Sequence, residues 1–285
     1  MDVSIITDST CDLGPGGEVA YDIDIVPLTV NFGDKAFKDG IELSSQEFYD
    51  RLSRVTTLPT TSQPAPAVFQ AIYRRRLDEG KEIVGVFIST TLSGTYQSAV
   101  TAMSFFSDEE QSKIHLVDSR QATGGLALLV LEACSMRDRG VCAADICAAL
   151  DALKPRVKLY AALDTLRYLR MGGRLSATAA FAGGILNVVP VISLDDGVIV
   201  SPAKIRRGKN AFRKWLRGRL NTTLPDLRYP VVYLHSNNIS AIESIQEEFK
   251  YLIPSDRLYR LSLGAVIGTH AGPDAIGIVY AVRDV

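Results

Sequence analysis

The chain has 285 residues, of which 47% are hydrophobic, and this is enough for a substantial core and for two domains of ordinary size. Its 31 Lys and Arg residues almost balance its 32 Asp and Glu residues, so the formal net charge is −1. A near-neutral chain has no general electrostatic attraction to nucleic acid or to an anionic membrane, which argues against both classes of partner.

The cysteines and the apolar segments bear on the cellular compartment. No two cysteines form a C-x-x-C pair, which favours buried thiols in a reducing compartment over a metal site; they are Cys11, Cys134, Cys142 and Cys147. The first residues lack a basic segment followed by a long apolar one, so no secretory signal is expected. The longest uncharged run, residues 176–194, contains glycines, an asparagine and a proline, which argues against a membrane span. We therefore expect a cytoplasmic protein.

The first half of the chain alternates strand and helix patterns. Four short apolar runs predict strands, at residues 3–7, 25–30, 83–88 and 113–117. Helix signals lie between and after them: a capping box of Ser44 and Glu47, two prolines at 64 and 66, a helix from about Gly94, and a long apolar helix from 122 or 123 to about 139. This rhythm predicts a mostly parallel sheet with flanking helices.

The second half has a different pattern. Asp195, Asp196 and Gly197 separate two apolar runs, which predicts a β-hairpin. Further strands are expected at residues 231–235, 258–261 and 276–282, with a helix near 239–252. We expect a second α/β domain with a mainly antiparallel sheet. The boundary is predicted near Lys154-Pro155-Arg156, which gives domains 1–155 and 156–285.

Three distant segments place small hydroxyl side chains beside turn residues. They are Thr61-Ser62-Gln63-Pro64, Leu92-Ser93-Gly94-Thr95-Tyr96 and Gly268-Thr269-His270. Together they could grip a carboxylate or phosphate without a metal ion. Ser93 and Gly94 follow a predicted strand and open a helix, whose free N–H groups favour an anion. Thr61, Ser62 and Ser93 could equally be helix caps, and both roles are compatible.

Other polar residues have both a functional and a plain interpretation. His270, between glycines, could donate to a carboxylate, although a lone histidine is more often structural. Arg174 follows a Gly-Gly turn and could offer a donor fork to an oxyanion. A basic cluster is either a solvated surface or a docking patch for an acidic partner, and consists of Lys204, Arg206, Arg207 and Lys209. Asp8, Asp12 and Asp118 lie at strand ends, but their spacing predicts no metal site.

As an ordered set, these motifs resemble the DegV family, which includes the fatty-acid-binding subunits of the two-component bacterial fatty acid kinase. The resemblance runs nearly end to end and rests on Thr7-Asp8-Ser9-Thr10-Cys11-Asp12-Leu13, Asp39-Gly40, Glu47-Phe48-Tyr49, the three hydroxyl motifs, Asp118-Ser119, Tyr168-Leu169 and Gly172-Gly173-Arg174. It implies a two-domain fold with a long-chain fatty acid, such as palmitate, in a tunnel between the domains.

The resemblance also implies roles for individual residues. The carboxylate would be held by Thr61 and Ser93 with His270 nearby, and Arg174 would support this polar end. The implied fatty-acid-binding set also includes Ser62, Gly94 and Thr269. Lys204, Arg206 and Arg207 resemble the surface that meets the kinase subunit. No metal, cofactor or kinase machinery is expected in this chain, and residues 177–191 could line the tunnel or belong to ordinary core.

Two other functions remain open from the sequence. A serine hydrolase could use Ser93, His270 and an acid such as Asp118, although Ser93 is not in a G-x-S-x-G motif. A lipid-binding regulator without a kinase partner would have the same pocket. The preferred hypothesis is a carrier that presents a bound carboxylate to a separate kinase subunit, which forms the acyl phosphate.

Overall fold

The computed structural model describes residues 2–14, 16–175, 188–208 and 210–284. The strands are β1 (Val3–Asp8), β2 (Ile23–Val26), β3 (Thr29–Phe32), β4 (Lys35–Lys38), β5 (Thr60–Ser62), β6 (Glu82–Phe87), β7 (Ile114–Asp118), β8 (Val157–Ala162), β9 (Val188–Asp195), β10 (Val198–Arg206), β11 (Val231–His235), β12 (Leu258–Ser262) and β13 (Ile276–Ala281). The α-helices are α1 (Gly17–Tyr21), α2 (Ser45–Leu52), α3 (Pro66–Asp78), α4 (Thr95–Met103), α5 (Asp108–Gln111), α6 (Gly124–Asp138), α7 (Ala143–Leu153), α8 (Arg167–Met171), α9 (Ala211–Thr222), α10 (Ile239–Phe249) and α11 (Ala265–Ala271).

The predicted parallel sheet is confirmed. Its four strands lie in the order β2-β1-β6-β7, and every neighbouring pair is parallel. All six residues of β1 are buried, as expected for a strand covered by helices on both faces. The strands β1, β6 and β7 end at Asp8, Phe87 and Asp118, so the polar loops that follow them share one edge of the sheet.

The second sheet is mainly antiparallel, as predicted. Its order is β10-β9-β8-β13-β11-β12, and only β11 and β12 pair in parallel. The predicted hairpin joins β9 to β10. Its two central residues, Asp196 and Gly197, have φ angles of 47° and 82°. Positive φ at both positions is what a two-residue turn of type I′ requires.

A third, three-stranded sheet is absent from the sequence prediction. The run predicted as one strand, residues 25–30, divides into β2 and β3, which belong to different sheets. The short strand β5 pairs with β3 and places Thr61 opposite Val30. Thr61 and Ser62 therefore do not cap α3. The cap position is Ala65, which makes no side-chain bond. Pro66 follows at the first helical position, where its missing N–H group costs no intrahelical bond.

The predicted capping box at the start of α2 is wrong in one half. The Ser44 hydroxyl accepts from the Glu47 N–H at 3.3 Å, as such a box requires. The Glu47 carboxylate, however, accepts from the Arg51 guanidinium one turn later. An i,i+4 ion pair competes here with the reciprocal bond to the backbone.

Helix α6 lies between the parallel sheet and the six-stranded sheet and contacts strands of both. Over residues 124–131 it is apolar on all sides, because both neighbours bury it. A side chain at Gly124 would begin 2.9 Å from Leu234 and Val232, so this glycine permits the close approach. One hydrophobic cluster consequently extends across both sheets. The short 3-10 helix Lys154–Arg156 carries the chain from one sheet to the other, at the proposed boundary between residues 155 and 156.

Among the described helices, none combines the length and the apolar character needed to cross a bilayer.

We predict that Gly124→Ala destabilises the protein by about 1–3 kcal/mol, because the added methyl group overpacks the contact between α6 and the second sheet. Gly218→Ala is the matched control, since Gly218 is exposed on helix α9 and a side chain there meets nothing within 4 Å. It should stabilise by roughly 0.5–1 kcal/mol through helix propensity. Urea unfolding measures both, and equal free energies of unfolding for the two variants would contradict the prediction.

Candidate functional site

A cavity of about 380 Å³ lies between the carboxyl edge of the parallel sheet and one face of the six-stranded sheet. This volume is within the range of small-molecule sites. Most of its wall is apolar, and the apolar side chains are Leu28, Ile88, Leu92, Ala122, Leu159, Ala161, Leu163, Leu169, Ile192, Leu194, Ile199, Leu234, Leu263, Val266, Ile267, Ala271, Ala275 and Ile276. The described wall contains no Asp or Glu.

One row of paired residues forms a trough in the floor of the cavity. Ile192, Ala161, Gly277 and Leu234 are cross-strand partners on four successive strands, and all four line the cavity. Directly paired residues point to the same face of a sheet. The two small residues in the middle therefore lie between two large ones. A narrow apolar trough of this kind fits an elongated apolar ligand.

The polar part of the wall gathers the three hydroxyl motifs and the predicted arginine. Its members are Thr61, Ser62, Gln63, Ser93, Thr123, Arg174 and His270. Thr61 Oγ1 and His270 Nε2 are 2.9 Å apart and share a hydrogen bond between segments 209 positions apart. Ser93 Oγ lies 2.8 Å from Thr95 Oγ1. Residues that are distant in sequence thus line one polar surface with hydroxyl, imidazole and guanidinium groups.

His270 occupies the last turn of α11 rather than a loop. Its Nδ1 is buried and has no hydrogen-bond partner among the described residues. Burial, with a smaller contribution from the charge of Arg174, lowers the pKa of the imidazole to about 4. The ring is therefore neutral near pH 7 and has one N–H to donate. Gly172 makes room for it, because a side chain at this position would overlap His270 Nδ1.

Arg174 is held by the backbone of two segments. Its Nε donates to the Leu92 carbonyl at 3.1 Å, and its Nη1 donates to the Gly172 carbonyl at 2.7 Å. These bonds join the Gly-Gly turn to the loop that follows β6. With no carboxylate in the described wall, this guanidinium makes the polar part of the cavity electropositive.

Gln63 and Thr123 line the cavity but were not among the predicted site residues. Gln63 Nε2 donates to Ser98 Oγ at 3.1 Å, and its side chain lies against Gly94. A side chain at Gly94 would begin 2.6 Å from Gln63 Nε2, so the absence of a side chain at Gly94 makes room for the Gln63 amide. Gln63 belongs to the Thr-Ser-Gln-Pro motif and could have been predicted from it. No motif in the sequence indicated that Thr123 would line the cavity.

Thr269 has a different environment from the other predicted ligands. Its hydroxyl is buried and donates to the Ala265 carbonyl of α11 at 2.8 Å. It is not part of the described wall. Threonine in a helix often makes this bond to the preceding turn.

The predicted docking residues lie on the edge of the six-stranded sheet. Lys204 and Arg206 are exposed and lie two positions apart on the edge strand β10. Arg207 is also exposed, but it forms an ion pair with Asp164. Lys209 lies outside the described residues. Of the predicted tunnel segment 177–191, only Val188 to Val191 is described, and it forms the start of β9.

The acid of the alternative serine hydrolase lies elsewhere. Asp118 accepts from the Thr90 hydroxyl at 2.7 Å and from the Arg120 N–H at 2.9 Å, and it is not part of the described wall. No group of three or more His, Cys, Asp or Glu side chains suited to a metal ion occurs in the part of the chain that the structure describes.

Comparison with known proteins identifies the family. A family model described as an uncharacterised protein of the DegV family matches residues 2–283. The chain belongs to the DegV family. It is 34% identical, over 98% of both chains, to a DegV domain-containing protein of Caldanaerobacter subterraneus subsp. tengcongensis.

Two solved structures of DegV proteins have the same fold. One, from Thermus thermophilus, is described by its fatty acid binding; it is 30% identical, covers 99% of this chain and 100% of its own, and has a TM-score of 0.89. The other is DegV from Bacillus subtilis, described as a fatty acid binding protein. It is 31% identical with the same coverage and a TM-score of 0.86.

We predict that an NMR titration of His270 gives a pKa near 4 in the ligand-free protein, because burial opposes the charged imidazole. Arg174→Met should raise this pKa by removing a nearby positive charge. The value should stay below 6.5, since burial is the larger cause. Arg170→Met, at an exposed arginine on α8, is the control and should leave it unchanged. A wild-type pKa near 6.5 would contradict the conclusion that burial lowers the pKa of His270.

Proposed function

We propose that this chain binds a long-chain fatty acid in the cavity and presents its carboxylate to a separate kinase subunit. The observation that carries the proposal is the division of the cavity wall. An apolar trough occupies one part, and the Thr61–His270 pair, Ser93 and Arg174 occupy another. The two DegV structures described by fatty acid binding support the same ligand class.

The energetics favour an acyl chain as the ligand. Removing about 15 methylene groups from water contributes roughly 12 kcal/mol, at about 0.8 kcal/mol each. Association and ordering of the chain oppose binding and remove much of this gain. A carboxylate cannot be buried without donors, so the hydroxyl groups at the polar end are as necessary as the trough.

The Thr61–His270 bond sets the direction of the donors. If Nε2–H of the neutral ring donates to Thr61 Oγ1, the Thr61 proton is free to donate to a carboxylate oxygen. Ser93 supplies the second hydroxyl. In this tautomer Nδ1 is an acceptor, and it faces the clearance left by Gly172. A bound carboxylate therefore selects the Nε2–H tautomer and receives two short, charge-assisted hydrogen bonds.

The positions of the polar groups favour a carrier over a serine hydrolase. His270 Nδ1 has no acidic partner among the described residues, and both oxygens of Asp118 accept from other groups. An imidazole acting as general base needs a group that orients it. A fluorophosphonate probe separates the two functions, because covalent labelling of Ser93 would favour the hydrolase.

The proposal of a kinase partner rests on the resemblance of the motifs and on an exposed basic strand. Lys204 and Arg206 are on the edge of the sheet, away from the wall of the cavity. Charges on such a rim act on encounter and register with an acidic partner. Affinity capture from the source cell distinguishes this carrier from a lipid-binding regulator without a kinase.

We predict that delipidated protein binds one palmitate per chain, measured by native mass spectrometry and calorimetry. Ser93→Ala and Thr61→Val should each weaken binding roughly 10- to 150-fold, since a hydrogen bond to a charged group contributes about 1.5–3 kcal/mol. The control is Ser193→Ala, a buried serine on β9 between the lining residues Ile192 and Leu194, which should retain affinity. Absence of palmitate binding by the wild type would refute the function.

We predict that the double variant Lys204→Ala, Arg206→Ala binds palmitate normally but slows phosphorylation by the partner kinase. The wild-type rate should fall with ionic strength, because screening weakens long-range attraction. Arg167→Ala together with Arg170→Ala on α8 provides a charge-matched control. Turnover with the kinase, measured at low and moderate salt, tests this. Normal turnover in the double variant would show that Lys204 and Arg206 are ordinary solvated residues with no role in docking.

A further inference from the structure

Two buried carboxylates hold the start of helix α11, the helix that carries His270. Asp12 Oδ1 accepts from the Gly264 N–H at 2.9 Å, and Asp39 Oδ1 accepts from the Ala265 N–H at 3.0 Å. The two carboxylates come from the first 40 residues and reach across more than 220 positions of sequence. Asp12 is 5% exposed and Asp39 4%, so neither is a surface cap.

Asp39 also holds the sheet that carries Thr61. Its Oδ2 accepts from the Ser9 hydroxyl at 2.9 Å, and its N–H donates to the Leu28 carbonyl at 2.9 Å. Asp39 directly follows β4, and Leu28 directly precedes β3, the strand that pairs with β5 at Thr61. Asp39 thus links the helix of His270, through its carboxylate, to the sheet of Thr61, through its backbone N–H group.

Helix α11 connects the residues held by these carboxylates to His270 in the cavity wall. From Ala265 to His270 is about 7.5 Å of helix, at about 1.5 Å per residue, so a shift at the start displaces the imidazole directly. Close contacts on its flank leave the helix little freedom. A side chain at Gly268 would begin 2.6 Å from Phe48, and one at Gly272 would overlap the Tyr168 ring.

We propose that Asp12 and Asp39 are positioning residues for the Thr61–His270 pair, and that they set the separation at which this pair receives the ligand carboxylate. The inference rests on the proposed function. It gives a role to the Asp-Ser-Thr-Cys-Asp and Asp39-Gly40 motifs, neither of which the cavity wall explains.

The choice of residue supports positioning over simple capping. Burial raises the pKa of the Asp39 carboxyl to about 6 and raises that of Asp12 well above its usual range. Taking carboxyl groups out of water in this way has a cost in stability. Serine would satisfy the same N–H groups at the surface of an ordinary helix. Here one Asp39 oxygen bonds to α11 and the other to Ser9, and a serine hydroxyl offers only one oxygen.

A double-mutant cycle with palmitate affinity as the readout tests the proposal. Asp39→Ala should weaken binding about tenfold or more in the wild-type background but less than about threefold in the His270→Ala background, because its effect passes through His270. Asp39→Asn keeps an acceptor for the Ala265 N–H and should retain affinity within about threefold. Asp226→Ala is the control, since this carboxylate is also 4% exposed but pairs with Arg156 and Arg228. It should lower stability and leave affinity unchanged.

A second readout needs no ligand. The imidazole nitrogen chemical shifts of His270 should change in Asp39→Ala and remain as in the wild type in Asp226→Ala. Equal losses of affinity in both backgrounds, or none in the wild-type background, would overturn the proposal. If Asp39→Ala does not fold, Asp12→Gly takes its place, because Asp12 has a φ of 55° that glycine adopts without strain. If wild-type protein fails to bind palmitate, the proposed function fails, while the imidazole shifts still decide the positioning.

Discussion

A carboxylate can be taken out of water only where donors are already arranged for it, and for the proposed fatty acid this arrangement depends on one hydrogen bond. Thr61 belongs to the three-stranded sheet and His270 to helix α11, yet their polar atoms lie 2.9 Å apart. The bond exists only when the three-stranded sheet and α11 are docked on each other. The polar end of the cavity is therefore a property of the assembled fold, because neither segment forms it alone.

The apolar part of the cavity depends on a second contact, the packing of helix α6 between the two large sheets. Helix α6 contacts strands of both large sheets, and the two residues that precede it, Ala122 and Thr123, line the cavity. There the floor is formed by Ala161 and Gly277, which are too small to fill the gap. Interiors are normally close-packed, so a lined space of this kind in the middle of the fold indicates a ligand site.

The sequence was sufficient for elements whose signals are local. The hairpin at Asp196 and Gly197, the Pro66 helix start and the apolar character of α6 each follow from a few neighbouring residues. It failed where long-range pairing decides the structure. β5 is only three residues long, and it is a strand because β3 lies beside it, so Thr61 was open to interpretation as a cap. No helix was predicted at His270 either, since the flanking glycines resemble turn residues, yet it lies in α11.

Two glycines of the predicted motifs explain why these positions have no side chain. Gly94 and Gly172 have φ angles of −78° and −74°, which any residue adopts, so backbone freedom does not explain them. Each instead leaves room for a polar side chain from another segment: Gln63 lies against Gly94, and the imidazole of His270 against Gly172. Gly94 and Gly172 thus mark contacts with distant partners. Sequence alone reveals the glycine but not the partner, and a methyl group at either position would displace the polar side chain packed against it.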